Sequence, residues 1–530
     1  MPRKIHLIII ILFSISLALP FINKPIHIDE WDSLVMSKCL HSTSISNLLK
    51  IKVGYMGGEF NAYQFTHTPL LLTIIPIFVS LNGNPKMWKL HIFYIFFILL
   101  SSLSAYFIGK RYLRDPLSTA LLLISTPAFL IISQSIITDL PALAFFLASL
   151  ALYLHGSENN KPMFFWIAGF CATLSWLFTY QSLFLIPFVF LDSILRKKSI
   201  KNAMYFVIVP LACVILWSLF NIRVYGTPHV LISFYQQNID FLTTFKNIPL
   251  KIVGILSNLG GSGIIPLFVL FWAFKYTKDS RLFIITFLAS AIIFRVFLKN
   301  YSLMDISQVS LYFSIGLYFT YLMVKKFNEY RFLSLWYLGF LGSSILFLPY
   351  GSSKYILPLL LPPIILFVKE IELKLTDKKY SNVFLFLCVF FTLLLSLSVA
   401  WADYQFAKLY ENFTGNIGQK YSQRNICFTG EWGFRYYMEE KGYKYLLTND
   451  NSPRPGDIIV IPGIPCPSPL HPDLQARLKQ IDTITYESKF PIRVMNDETH
   501  AGFYSDGWGL LPYSFSTVPL ETFKIYQVER

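Results

Sequence analysis

Three acidic residues fall within four positions at Asp29-Glu30-Trp31-Asp32, just past the first apolar stretch of a 530-residue chain. Carboxylates grouped at the edge of hydrocarbon are costly unless solvent, a partner or a substrate meets them. A carboxylate so placed can take a proton from a hydroxyl, which makes Asp29 a candidate general base and Glu30 its catalytic neighbour. The plainer alternative is a helix start, where Asp and Glu favour the dipole. A further acid, Asp139, stands in Thr138-Asp139-Leu140-Pro141. That pattern is equally an N-cap before proline in a first helical turn. Whether a divalent metal sits between Asp29 and Asp139 is open at this level.

Basic and aromatic residues supply the complement. His67, in Thr66-His67-Thr68-Pro69-Leu70, can orient a base or meet a phosphate oxygen, or simply dress an interface. Lys354 and Tyr355 stand in Ser352-Ser353-Lys354-Tyr355, a short polar stretch between apolar runs. An anionic phosphate would hold such a lysine in place, and snorkelling to headgroups is the bland alternative. Arg223 and Arg295 are weaker versions of the same anion-binding idea. The chain has no Walker loop, no dinucleotide glycine fingerprint after a strand and no HExxH.

The elements that must position these residues are apolar. The chain is 54% hydrophobic and 14% charged, against about a quarter charged in ordinary soluble domains. This is the composition of a polytopic α-helical membrane protein. Apolar runs near 5–21, 88–109, 117–133, 140–155, 163–178, 180–195, 203–220, 251–274, 282–297, 305–324, 332–349, 355–368 and 382–401 predict about thirteen transmembrane helices. Met1-Pro-Arg-Lys before 5–19 resembles a signal peptide's charged start, but no small-residue cleavage site follows Pro20, which favours a retained helix. The dozen apolar residues Leu70–Leu81 suit an interfacial or re-entrant helix better than a span. On that reading the clusters Lys110/Arg111/Arg114, Arg196/Lys197/Lys198/Lys201, Lys275/Lys278/Arg281, Lys325/Lys326/Arg331 and Lys369/Lys374/Lys378/Lys379 all fall on the cytoplasmic side. The same placement explains the net charge of +15 without nucleic acid. Residues 22–87 become one large extracytoplasmic loop, and Asp139 and Lys354 face the same side. Residues 1–401 are then the transmembrane catalytic domain. Residues 402–530, which alternate polar and apolar, predict an extracytoplasmic soluble α/β domain. In it Ile426–Thr429, Asp457–Ile461 and Glu521–Val528 are expected as strands, with Trp432–Lys441 and Asp473–Ile481 as helices. Cys427 and Cys466 could pair there.

Taken together these pieces resemble the GT-C superfamily of membrane glycosyltransferases, in its bacterial branch of protein O-mannosyltransferase-like and aminoarabinose-transferase-like proteins. The resemblance runs through Asp29-Glu30, His67-Thr-Pro-Leu70, the Asp139 region, Lys354-Tyr-Ile-Leu-Pro358, Ala402-Asp403-Tyr404, Gly430–Tyr437 and Ala501-Gly-Phe-Tyr504 with Trp508-Gly509. Thr68 stands where the family often has proline, and Lys354 where it often has arginine. The resemblance implies a polyprenyl-phosphate-sugar donor, inverting transfer to a lipid, glycan or protein acceptor, and Asp29 as the base. It also implies an integral protein of a bacterial inner membrane with its site outside the cytoplasm. The rival is a transporter or flippase of lipid-linked sugars, which calls for polar residues deep within spans and repeated broken helices.

Overall fold

In hydrocarbon a chain must satisfy its own backbone polar groups, so the apolar runs become helices. The computed structural model describes residues 3–35, 51–61, 87–195, 200–231, 241–277 and 279–530. His67, Cys39, Leu70–Leu81 and the basic residues 196–198 and 278 lie outside the described residues. Among the described residues six helices are long and apolar enough to cross a membrane: Lys4–Phe21, Met87–Gly109, Asp139–Asn159, Ile200–Tyr225, Ser280–Phe297 and Lys378–Lys420. A bent pair, Asn247–Ser262 with Pro266–Tyr276, raises the count to seven if taken as one span.

Two of the apolar runs are interrupted, each for a local reason. The run 117–133 is split into Leu117–Ser125 and Pro127–Ile132. Thr126 between them is extended, its side chain accepts from the Phe129 N–H at 3.4 Å, and Pro127 opens the next helix. The run 251–274 bends by 89°, because Gly260-Gly261-Ser262-Gly263 precedes a fresh proline start at Pro266. Pro162–Trp176 and Arg331–Phe347 are apolar helices shorter than the six.

Packing sorts the helices into a centre and a rim. Asp139–Asn159 is central, with Leu140, Leu143, Phe146, Leu147 and Leu150 all buried. Ile200–Tyr225 instead turns Met204, Ile208, Leu211, Ile215, Leu219 and Ile222 outward, an apolar face suited to lipid rather than water. Glycine allows one very close crossing. A Cβ at Gly260 would stand 1.9 Å from the Tyr312 carbonyl oxygen, and one at Gly316 would stand 2.2 Å from that of Leu256. The helices Phe241–Gly261 and Leu303–Lys325 therefore meet backbone to backbone, as small residues permit in membranes.

The 43-residue helix Lys378–Lys420 is about 65 Å long at 1.5 Å per residue, more than twice the hydrocarbon thickness of about 30 Å. Its far half carries the rest of the chain. A hairpin from the first loop, β1 (Lys52–Tyr55) and β2 (Gly58–Asn61), packs there as well. Strands β3 (Ile426–Phe428), β4 (Lys444–Tyr445), β5 (Ile458–Ile461), β6 (Leu478–Tyr486) and a closing strand (Glu521–Val528) form a five-stranded sheet. Its order is β4, β3, β5, closing strand, β6. β3 runs parallel to β4 and β5, while the closing strand is antiparallel to both neighbours. Phe413 of the long helix stacks on Phe523 at 3.7 Å, with Phe434 against both, and seals helix to sheet. Two short strands, β7 (Met495–Asn496) and β8 (Ala501–Gly502), pair antiparallel, so the closing strand is β9.

One local expectation fails here. Asp473–Ile481 is not a single helix: Pro472–Ala476 is one short turn, and Leu478–Tyr486 is a strand. The β-branched alternation Ile481, Thr483, Thr485 against Ile484 outweighs the helical spacing. Cys427 and Cys466 are both free thiols.

Candidate active site

The segment after the first span turns back into the protein rather than out to solvent. Residues 30–35 are helical, with Asp29 in the turn just before them. That spacing sends Asp29 and Asp32, three residues apart, to one side, and both line a cavity of about 390 Å³. The volume lies in the usual range for small-ligand sites, roughly 300–1,000 Å³. Asp139, in the first turn of its helix, lines the same cavity, as do Lys354 and Tyr355 from the loop before Leu357–Lys374. Phe184, Phe340 and Phe347 make apolar wall. Four of the residues singled out in the sequence, Asp29, Asp139, Lys354 and Tyr355, are thus brought together from three separate parts of the chain.

The Lys354 ammonium bonds Asp29 Oδ2 at 2.7 Å and lies 5.2 Å from the centre of the Tyr355 ring. The lysine side chain is 7% exposed and the aspartate 28%. Burial works against the ammonium charge, but the Asp29 carboxylate beside it overrides that and holds Lys354 well above the ordinary lysine range. The loop itself is anchored from below. The Ser353 hydroxyl donates to Asn258 Oδ1 at 2.5 Å and lies 2.9 Å from the Ser262 hydroxyl.

Asp32 is different. Burial first, then the charges of Asp29 and Glu431, push its carboxyl well above the usual range. Its Oδ1 is buried without a hydrogen-bond partner among the described residues.

Glu30 does not line the cavity. It is fully buried and accepts from the backbone N–H groups of His27 at 3.3 Å and Ile136 at 3.2 Å. It thereby ties the loop bearing Asp29 to the one leading to Asp139. Burial pushes its carboxyl up to about 8. Arg223 and Arg295 lie on exposed positions in the last turns of their helices, and neither is among the cavity's lining residues.

Sequence reasoning quoted Asp403 and Tyr504 only within short motifs and missed the buried polar knot they form with Lys24, His27 and Ser135. Lys24 Nζ bonds Asp403 Oδ2 at 2.6 Å and Ser135 Oγ at 3.0 Å. His27 Nε2 lies 3.3 Å from Asp403 Oδ1. The Tyr504 hydroxyl donates to the same carboxylate, 3.0 and 3.1 Å from its two oxygens. All five residues are at most 2% exposed. The available signal was Asp403 itself, a carboxylate at the end of an apolar run that needs a cation. A second missed group wraps Trp31. The Arg435 guanidinium lies between Trp31, at 4.1 Å, and Tyr445, at 3.6 Å. Glu431 pairs with Arg435 at 3.0 Å and accepts from the Met56 N–H at 2.7 Å, holding the β1–β2 hairpin to the sheet.

A divalent metal is the group this site could be asked to hold. Asp29 and Asp139 offer two carboxylates, but Lys354 already stands against Asp29 where a cation would bind. Among the described residues no three His, Cys, Asp or Glu side chains gather into a ligand set. With Asp32 as a third carboxylate on the same cavity, the described residues supply acidic side chains but no assembled ligand set for a divalent cation.

Residues 66–220, which include Asp139, match the family model for dolichyl-phosphate-mannose-protein mannosyltransferase. No curated protein sequence matches the chain. Among solved structures, the oligosaccharyltransferase of Archaeoglobus fulgidus, solved with Zn and sulfate, aligns at 12% identity over 83% of this chain, with a TM-score of 0.49. The chain spans 62% of that protein's length. ArnT from Cupriavidus metallidurans, bound to undecaprenyl phosphate, aligns at 12% identity over 86% of this chain and 92% of its own, with a TM-score of 0.39. The arabinofuranosyltransferase AftD from Mycobacteria aligns at 11% identity over 100% of this chain and 40% of its own, with a TM-score of 0.41. At such scores the family match is the finding that speaks to kind. Over residues 66–220 the chain therefore resembles that glycosyltransferase family; Asp139 lies inside the match, and Asp29-Glu30 and Lys354-Tyr355 lie outside it.

Proposed function

We propose that the protein transfers a sugar from a polyprenyl-phosphate-linked donor to a lipid, glycan or protein acceptor, at the extracytoplasmic face of a bacterial inner membrane. The observation that carries this reading is the meeting of Asp29, Asp139, Lys354 and Tyr355 around one cavity with apolar walls. The family match over residues 66–220 supports it from a separate direction.

In this mechanism the acceptor hydroxyl lies against Asp29, whose ionised carboxylate takes its proton as the oxygen attacks the anomeric carbon. The bond from that carbon to the phosphate oxygen breaks, and polyprenyl phosphate departs with the electron pair. A single displacement inverts the anomeric centre. Lys354 has three N–H donors. One holds Asp29 ionised and aimed, and the others are available to a phosphate oxygen as negative charge builds on the leaving group. Asp139, on the same cavity, accepts from a sugar or acceptor hydroxyl. Residues 1–401 act as the catalytic domain and 402–530 as an extracytoplasmic α/β domain that closes over the site. Transfer from radiolabelled polyprenyl-phosphate sugars into a membrane extract, with and without the protein, tests the reading and identifies the acceptor class.

A further inference from the structure

We infer that Phe503–Asp506, a four-residue stretch near the C-terminus, is the clamp that sets Lys354 against Asp29, with Tyr504 and Asp506 as positioning residues. The inference rests on the transfer reading for what the pair does, but not for how the pair is held.

On the Lys354 side the clamp bonds three consecutive residues of the loop. The Gly351 N–H donates to Asp506 Oδ2 at 2.7 Å, and the Asp506 N–H donates back to the Gly351 carbonyl at 2.9 Å. The Ser353 N–H and the Ser352 hydroxyl both donate to the Phe503 carbonyl, at 2.9 and 3.2 Å. The loop has no room to retreat. A Cβ on Gly351 would stand 2.9 Å from the Gly254 carbonyl carbon.

On the Asp29 side the clamp works through Tyr504. Its hydroxyl donates to Asp403, which in turn holds Lys24 at 2.6 Å and has His27 Nε2 at 3.3 Å. Asp29 follows His27 by two residues, in a stretch with no regular hydrogen-bonded ladder of its own. Its local bonds are the Glu30 N–H to the His27 carbonyl at 3.2 Å and the His27 N–H to Glu30 Oε2 at 3.3 Å, and the rest of its placement comes from tertiary bonds. Both halves of the Asp29–Lys354 pair are therefore registered to one short piece of chain. Phe503 and Tyr504 are rigidly seated, being 0% and 2% exposed. A hydrogen bond to a buried carboxylate is among the stronger ones, so losing the Tyr504 hydroxyl lets the Lys24–His27–Asp403 knot relax.

The test uses the full-length protein in detergent micelles, as wild type, Tyr504→Phe and Asp506→Asn. Tyr504→Phe keeps the ring and its packing, and Asp506→Asn keeps the shape. Each protein is treated briefly with acetic anhydride, and acetylation of Lys354 is read by mass spectrometry against exposed Lys52 and Lys441. In parallel, kcat and KM are measured for transfer from polyprenyl-phosphate mannose and polyprenyl-phosphate glucose. The clamp predicts that Lys354 labels about tenfold faster in Tyr504→Phe, which loses a charged hydrogen bond, and faster by a smaller factor in Asp506→Asn, whose bond to the Gly351 N–H loses its charge, with Lys52 and Lys441 unchanged. It also predicts that kcat falls while KM moves less than about twofold, because alignment rather than binding is lost. Faster Lys354 labelling with no transfer by any of the three proteins keeps the clamp and removes the glycosyltransferase reading. Unchanged Lys354 labelling in both variants overturns the clamp, whatever happens to activity.

Discussion

Asp29 and Lys354, 325 positions apart in the chain, meet at 2.7 Å on the wall of a cavity that Asp139 also lines. The lysine is the more deeply buried partner, at 7% against 28% exposed. That asymmetry gives the pair a direction. The ammonium is fixed by its surroundings, while the carboxylate keeps a face towards the space where an acceptor would lie.

Removing the cation should therefore disable the carboxylate without emptying the cavity. Lys354→Met is expected to lower kcat/KM for sugar transfer by at least about tenfold, the size of one charged hydrogen bond. Lys354→Arg should retain more, since it restores the charge with a different fork of donors. Equal rates for wild type and Lys354→Met would show the lysine to be a headgroup anchor instead.

Glu30 gives a pH signature separate from catalysis. Burial keeps its carboxyl protonated in the folded protein up to about 8, from an ordinary value of 4.5. Between those values the folded state binds more protons than the unfolded state, so stability falls as pH rises and the loss levels off above about 8. Glu30→Gln, the uncharged isostere, is expected to melt close to wild type near pH 5 and above it near pH 8.5. Thermal unfolding in detergent at both values checks this, and a gap that does not widen with pH would contradict it.

Arg435 is expected to matter for stability rather than chemistry. Its guanidinium is 6% exposed and satisfies Glu431, which is 0% exposed, and Glu439. Arg435→Ala strands a buried carboxylate, a loss of about 3–5 kcal/mol in comparable pairs. It also frees Trp31 and the β1–β2 hairpin from the sheet. A lowered melting temperature together with faster proteolysis near residues 52–61 is the expected result. Normal stability would mean that the hairpin is held by Met56 and Gly57 alone.

The parts of this arrangement that hydropathy can see are those at the ends of apolar runs. Asp29, Asp139 and Lys354 each stand at such an end, and the charge clusters between runs give the expectation that they share a side. The proline and glycine breaks at Thr126-Pro127 and Gly261–Pro266 were written locally too, but they lay inside runs long enough to count as single spans. What was not legible is the network formed by tertiary contact. Lys24 and Asp403 are 379 positions apart, and nothing local to either names the other. Tyr504 and Asp506 lie in a polar stretch whose partners depend on how the long helix Lys378–Lys420 carries the sheet back onto the first loop. Asp473–Ile481 was misread because a short run of mixed period does not distinguish strand from helix.

In the proposed mechanism the Asp29 carboxylate takes the acceptor's proton. The measurement that tests it most directly is transfer from radiolabelled polyprenyl-phosphate sugars by wild type and Asp29→Asn at equal expression, each confirmed folded by its melting curve. The account predicts transfer by wild type and a loss of about 10²–10⁴-fold in the variant, the usual contribution of a positioned general base. Equal transfer by the two proteins would contradict it, and Asp29 would then be only the partner that holds Lys354 in place.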